Sequence, residues 1–153
     1  MTVTDFDFLA GAWKSRQRRL VEVLADCEEW YEFDATLDCQ VFLDGAGNFD
    51  VLRSPERDLE GMTVRLYSPS ERVWRIWWAA KTSDGHLDEP VVGRFEDGVG
   101  TFECDDTWHG TPIRVRYVWS GVDSEHPRWE QSFSSDGGRT WEVNWMATFT
   151  RRP

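Results

Sequence analysis

The stretch Thr140-Trp141-Glu142-Val143-Asn144-Trp145-Met146-Ala147-Thr148-Phe149-Thr150 decides how this chain folds. Trp141, Val143, Trp145, Ala147 and Phe149 fall on one side of a two-residue repeat, and Glu142, Asn144, Met146 and Thr148 on the other. A period of two with one apolar face marks a strand that covers a core. Ten tryptophans are spread along the chain, most of them inside stretches of this kind.

Working outward, nine more strands are predicted: Trp13–Val23, Glu29–Val41, Phe49–Arg53, Gly61–Tyr67, Val73–Thr82, Pro90–Glu96, Val99–Cys104, Pro112–Gly121 and Arg128–Ser134. Turn chemistry separates them. Asp44-Gly45-Ala46-Gly47-Asn48 accepts positive φ, Ser54-Pro55-Glu56-Arg57-Asp58 and Ser68-Pro69-Ser70-Glu71 break the pattern, and Asp97-Gly98 is a two-residue hairpin signal. Asp105 to Thr111 reads as a polar loop. Asp5 to Gly11 reads as a short helical plug carrying Phe6, Phe8 and Leu9. Sequential hairpins without long crossovers make one all-β domain, residues 1–153: an antiparallel up-and-down barrel of about ten strands closed on itself.

Composition narrows the partners. The chain of 153 residues has a formal net charge of −11, which repels phosphate backbones and anionic bilayers at long range. The basic clusters Arg16, Arg18, Arg19 and Arg151, Arg152 are surrounded by acid. No nucleic acid or membrane partner is therefore expected, while a homodimer is compatible with the sequence. No apolar run reaches membrane-spanning length. Met1 to Leu9 lacks the basic start and apolar stretch of a secretion signal, which implies a cytoplasmic address. Cys27, Cys39 and Cys104 are odd in number and badly spaced for a disulfide framework or structural zinc, so they read as free thiols.

Two motifs sit at informative positions. Ser134-Ser135-Asp136-Gly137-Gly138-Arg139-Thr140-Trp141 fits S-x-D-x-G-x-T-W and resembles the Asp-box hairpin of sialidase propellers. That resemblance implies a structural turn, with the Asp136 carboxylate on loop amides and Trp141 packed beneath. It also sets an expected register: Phe133 beside Trp141, Gln131 beside Val143 and Glu130 beside Asn144. Gly11-Ala12-Trp13, with Arg151 after the last strand, resembles the lipocalin and fatty-acid-binding arrangement, in which a tryptophan at the barrel base is covered by an arginine. Phe6-Asp7-Phe8-Leu9-Ala10-Gly11-Ala12-Trp13, Arg18-Arg19-Leu20, Val92-Gly93-Arg94-Phe95-Glu96-Asp97-Gly98 and Trp129-Glu130-Gln131-Ser132-Phe133 together resemble an uncharacterised bacterial domain family of the calycin superfamily. The resemblance implies a calycin-like barrel and no particular activity.

Which face turns inward sets what a site can be. A lone barrel has no second layer outside it, so the apolar faces are expected to point in. A buried indole hides about 200 Å², and at roughly 25 cal/mol per Å² each inversion costs up to about 5 kcal/mol. The expected inner set is Trp74, Trp78, Trp119, Trp129, Trp141 and Trp145 with Phe33, Leu37, Val64, Phe95 and Phe133. Trp13 joins it and carries Ser15, Gln17 and Arg19 inward on its strand. Across Ser68-Pro69-Ser70-Glu71, Met62, Val64 and Leu66 are expected beside Trp78, Ile76 and Trp74, leaving Thr63, Arg65, Tyr67, Arg75 and Trp77 on the opposite face.

A ten-stranded barrel has room for bulky indoles to fill or to line a cavity. The expected ligand-binding residues are Trp13, Gln17, Trp78, Tyr117, Trp119, Gln131 and Trp145, with Gln17, Tyr117, Gln131 and Arg19 as the orienting polar groups. The ligand would be a small, partly apolar molecule, aromatic or lipid-like. An alternative is an enzyme that uses Arg116, Glu130 and Glu142 as an acid/base and anion site, which requires those residues to face inward. A third reading is a structural or interaction module with a filled barrel. His86, His109 and His126 fall in predicted loops, so neither an axial haem ligand nor a metal site is expected, and no cofactor is assigned. Asp105, Asp106 and His109 read as solvated loop residues.

Overall fold

The computed structural model describes residues 3–153; the first two residues of the acidic N-terminal stretch lie outside the described residues. Ten strands form in chain order: β1 (Gly11–Leu20), β2 (Trp30–Phe42), β3 (Gly47–Ser54), β4 (Leu59–Ser68), β5 (Val73–Ala80), β6 (Val91–Glu96), β7 (Val99–Trp108), β8 (Thr111–Ser120), β9 (Arg128–Ser134) and β10 (Glu142–Arg151). Each pairs with its chain neighbours, and β1 pairs antiparallel with β10, so the sheet is a closed barrel. The alternation that predicted strands also sets burial. Phe33, Ala35, Leu37 and Cys39 on β2, Val115 and Trp119 on β8, and Ala147 and Phe149 on β10 are buried while their neighbours are more exposed.

Several turns follow local chemistry. Asp97 and Gly98 take φ of 51° and 78°, the geometry that suits a two-residue hairpin. His109 and Gly110 do the same at 48° and 81°. Asp105 to Thr111 is therefore not a polar loop: β7 runs on to Trp108, β8 starts at Thr111, and the two-residue turn between them needs no more chain.

The N-terminal segment is not a helical plug. It makes a single 3-10 turn, Asp7–Leu9, too short to count as a helix. Its apolar residues are nonetheless at one end of the barrel. Phe6 is 1 % exposed and meets Trp74 and Phe95 edge-on at 4.9 and 5.0 Å, and Leu9 is fully buried. Trp13 donates its indole N–H to the Leu9 carbonyl at 2.8 Å. The Arg151 guanidinium lies 3.9 Å over the Trp13 ring and donates to the carbonyls of Ala10 and Phe8. Gly11 takes φ of 109°, and a Cβ there would sit 2.7 Å from Arg151 Nη1, so this closure depends on a residue without a side chain.

Two registers differ from expectation by one residue. In the β4–β5 hairpin, Thr63 pairs with Trp78, Arg65 with Ile76 and Tyr67 with Trp74. Met62, Val64 and Leu66 therefore lie on the other face from Trp74, Ile76 and Trp78. The cause is Arg72, whose φ of 58° adds a left-handed residue to the turn, its N–H donating to the Ser68 carbonyl at 2.7 Å. In the β9–β10 pair, Phe133 faces Glu142 and Ser132 faces Val143. A bulge then shifts the register so that Gln131 faces Trp145 and Glu130 faces Met146. Because side chains alternate, each one-residue change swaps faces. Val64 and Trp141 consequently lie outside the barrel. Trp141 packs under the guanidinium of Arg116 at 4.0 Å and donates to the Gly138 carbonyl at 3.1 Å. Beyond the bulge the total shift is two residues, parity returns, and Trp145 and Trp129 both point in.

Candidate functional site

The barrel holds an internal cavity above the plane of Phe6 and Trp119. Leu37, Leu52, Ile76, Trp78, Trp129, Trp145 and Phe149 supply most of its apolar wall. The cavity volume is about 60 Å³, room for a handful of waters. The space is thus a narrow slot between indoles. Trp129 and Trp78 each meet Trp145 edge-on, at 5.4 and 5.9 Å. Trp78 fits only because Gly61 lies opposite: a Cβ on Gly61 would come within 2.1 Å of its ring.

One wall is polar and charged. Asn48 and Asp50 on β3 and Thr63 and Arg65 on β4 turn inward through the β4 register described above. Arg65 Nη1 lies 2.6 Å from Asp50 Oδ2 and donates to Asn48 Oδ1 at 2.8 Å. The two side chains are 5 % and 1 % exposed. Arg65 also lies over the rings of Phe6 and Trp119, at 5.1 and 5.8 Å. The cluster is incompletely satisfied. Arg65 Nε and Asn48 Nδ2 donate to nothing, while the Asp50 carboxylate is held by Arg65 and Thr63. Burial raises the Asp50 carboxyl above its ordinary range, and Arg65 opposes that rise.

Alternation along β4 predicts Arg65 outside; paired with Ile76, it lies inside. The available signal was complementarity: Asn48 and Asp50 share a face of β3, as Thr63 and Arg65 do on β4, and a hairpin register that joins them pairs opposite charges in the interior.

The expected ligand-binding residues divide. Gln17, Trp78, Tyr117, Trp119, Gln131 and Trp145 all line the cavity, while Trp13 lies at the barrel base beyond it. Gln17 is already engaged. Its carbonyl accepts the Trp145 indole N–H at 2.6 Å, and its amide donates to Ser15 Oγ at 2.7 Å. Gln131 donates to Asn144 Oδ1 at 2.9 Å, and Asn144 enters the interior only because of the β10 bulge. Burial pushes the Tyr117 phenol well above its ordinary value, so it is protonated at neutral pH.

Arg116, Glu130 and Glu142 do not converge. Arg116 is outside, stacked on Trp141. Glu130 pairs with Val118 and Met146 and lines a shallow outer groove with Arg18 and Arg128. Glu142 accepts the Leu24 backbone N–H at 2.7 Å and so ties the loop between β1 and β2 to the start of β10. The residues of the expected acid/base site are separated by the same one-residue register change that moves Trp141.

The remaining candidates are structural or isolated. Cys27, Cys39 and Cys104 are free thiols, and burial pushes the thiols of Cys39 and Cys104 up to about 11 and about 12. Among the described residues no group of three or more His, Cys, Asp or Glu is arranged to hold a metal ion. Asp105 pairs with Arg114, and His109 stacks edge-on against Trp108. No helix among the described residues is long and apolar enough to cross a membrane.

No family model matches the chain. No curated protein matches it by sequence. Among solved structures, it is similar in fold to the S-type phycobiliprotein lyase CPES from Guillardia theta, with a TM-score of 0.64 and 13 % identity over 100 % of this chain and 94 % of that one. The likeness supports the fold, a closed antiparallel barrel.

Proposed function

We propose that this protein binds a small, flat, partly apolar molecule in the slot between Trp78, Trp129 and Trp145, with one polar edge turned to Asp50 and Arg65. The observation that carries the reading is the unsatisfied buried cluster beside an indole-lined cavity. Each buried donor or acceptor left without a partner costs about 1–3 kcal/mol. A ligand edge with an acceptor for Arg65 Nε or Asn48 Nδ2 relieves that cost, and the aromatic walls supply contact area. Tyr117 and Gln131 take part as further polar groups, and Trp119 closes the floor; Gln17 acts by holding Trp145. The three free thiols support a cytoplasmic address within this proposal, and the resemblance to an uncharacterised bacterial calycin family belongs to it as well.

The test is native mass spectrometry of protein purified from its own source, with the oligomeric state read from the same spectrum. A retained small molecule, lost on substituting Trp145 or Arg65, supports the reading. Protein without bound mass that also gives no saturable indole-fluorescence response to an aromatic probe leaves the filled-barrel alternative.

One observation favours a second reading, an enzyme. A carboxyl raised by burial beside a guanidinium is suited to donate a proton to a bound substrate. Asp50 is then the proton donor and Arg65 the group that holds an anion, in place of Arg116, Glu130 and Glu142. Binding and turnover separate on whether the mass of a captured ligand changes with incubation and stops changing in Asp50→Asn.

A further inference from the structure

We propose that the open rim of the cavity carries an anion subsite built from Arg19 and Arg57, so that the ligand is an aromatic carboxylic acid with its ring in the slot and its carboxylate at the mouth. This rests on the binding reading above and adds the chemistry of the ligand's second end.

Arg19 lies one pleat above Gln17 on the inward face of β1. Its guanidinium stacks on Trp145, a wall of the cavity, at 4.1 Å. Its cross-strand partner is Tyr31. Arg57, in the turn between β3 and β4, lies 4.0 Å over the other side of the same story, on the Tyr31 ring, which itself stacks on Phe33. The two guanidinium groups thus lie at the end of the barrel away from Phe6 and Trp13, Arg19 on Trp145 and Arg57 on Tyr31.

Neither has a counter-charge. Among the described residues, the ion pairs involve Arg16, Arg53, Arg65, Arg75, Arg114, Arg152 and Lys81, and not Arg19 or Arg57. Arg19 is half-buried, and desolvation lowers its tendency to hold a proton, with Arg57 adding like-charge repulsion. A carboxylate placed between them relieves both penalties. Guanidinium N–H groups match a carboxylate in plane and spacing, and stacking fixes the fork in advance. The overall negative charge opposes a dianion more than a monoanion, which favours a carboxylate over a phosphate. The ring of such an acid, hung from Arg19, falls beside Trp145, against which Trp78 and Trp129 already pack edge-on.

The test compares naphthalene-2-carboxylate with its methyl ester, which keeps the ring and loses the charge, by quenching of indole fluorescence. The expected result is that wild-type protein binds the acid about 10- to 100-fold more tightly than the ester, the range of a charge-assisted hydrogen bond. That preference shrinks as salt is raised from 20 to 500 mM. Arg19→Met keeps the hydrocarbon contact with Trp145 and abolishes the preference of acid over ester. Arg57→Gln, at an exposed turn, reduces the preference in part and checks the assignment if Arg19→Met folds poorly. Equal binding of acid and ester by the wild type, or an unchanged preference in both variants, overturns the subsite and leaves the cavity reading standing. Saturable binding of neither compound overturns the cavity reading itself. A preference for inorganic phosphate over the naphthoate, read by competition, overturns the choice of carboxylate.

Discussion

The walls of this barrel are built on opposite plans. Along β8 to β10, Val115, Trp119, Trp129, Phe133 and Trp145 face in, while Arg114, Arg116 and Glu130 face out. Along β3 and β4, Asn48, Asp50, Thr63 and Arg65 face in, while Phe49, Val51, Met62 and Val64 face out. On that second wall Phe49, Val64 and Trp77 line up across three adjacent strands and are only half-buried, shielding one another. One wall obeys the rule that a lone barrel hides its apolar side; the other inverts it to place a charged pair next to the cavity. Hydrophobic burial therefore holds the barrel together without dictating each strand's orientation, and the exception sits where the interior has unsatisfied polar atoms.

The largest test of this contrast is Arg65→Met. Breaking a buried pair leaves Asp50 without its counter-charge and costs about 3–5 kcal/mol in denaturant unfolding. The double variant Arg65→Met, Asp50→Leu regains most of that loss, because apolar replacements of a buried pair are tolerated. The sign with pH follows from Asp50, whose carboxyl is raised by burial in the fold. Its contribution is fully present below the unfolded aspartate pKa of about 4 and is lost as pH rises through the folded value. Removing Arg65 pushes that value higher, so the penalty of Arg65→Met is larger at pH 8 than at pH 4. A penalty independent of pH would mean that Asp50 is not the group responsible.

Gly61→Val acts at the seam between the plans. Its side chain would occupy the place of the Trp78 ring, and overpacking of this kind costs about 1–3 kcal/mol. Displaced into the slot, Trp78 should abolish the saturable probe response in protein that still shows a cooperative unfolding transition. Retained binding would show that the indole can move elsewhere.

The comparison can be sharpened with one isosteric change made twice. Val115→Thr buries a hydroxyl in the apolar wall and costs about 1–3 kcal/mol. Val64→Thr puts the same group on the outer face and stays within about 0.5 kcal/mol. Equal effects would contradict the assigned faces.

These faces also mark where the sequence was legible. Strand existence, hairpin order and closure follow from alternation and turn chemistry, and β8 reads correctly because Ile113, Val115, Tyr117 and Trp119 alternate with Arg114 and Arg116. Orientation failed where it hung on one turn residue. Nothing in Ser68-Pro69-Ser70-Glu71 announces that Arg72 adopts a left-handed conformation, yet that residue decides which side of β4 is inside. The β10 bulge is equally silent in sequence, and it separates Trp141 from Trp145 although they lie on one face of the written pattern. The cavity's apolar residues were therefore recoverable, and its charged wall was not.

A modest effect is expected at Asp136, which is the outer counterpart of Asp50. Its Oδ1 accepts from the N–H groups of Arg139 and Thr140 at 3.0 and 2.9 Å and from Ser134 Oγ at 2.8 Å, while Oδ2 accepts from Thr140 Oγ1 at 2.5 Å. The bonds from Thr140 and Ser134 hold this carboxyl well below the usual range. Here the lowered pKa reverses the sign found for Asp50. The stabilising contribution is present above about pH 4 and fades as pH falls below it, because the unfolded carboxylate protonates first. Asp136→Ala should lower the thermal midpoint modestly at pH 7, and the gap from the parent should narrow between pH 4 and pH 2. Since the turn fixes the start of β10 ahead of the bulge, the variant should also loosen Trp141 from Arg116, read as a red shift of indole emission, while leaving binding in the slot intact. Loss of binding would mean that the turn holds the bulge and, through it, Asn144 and Gln131; an unchanged midpoint with unchanged emission would mean that it anchors nothing.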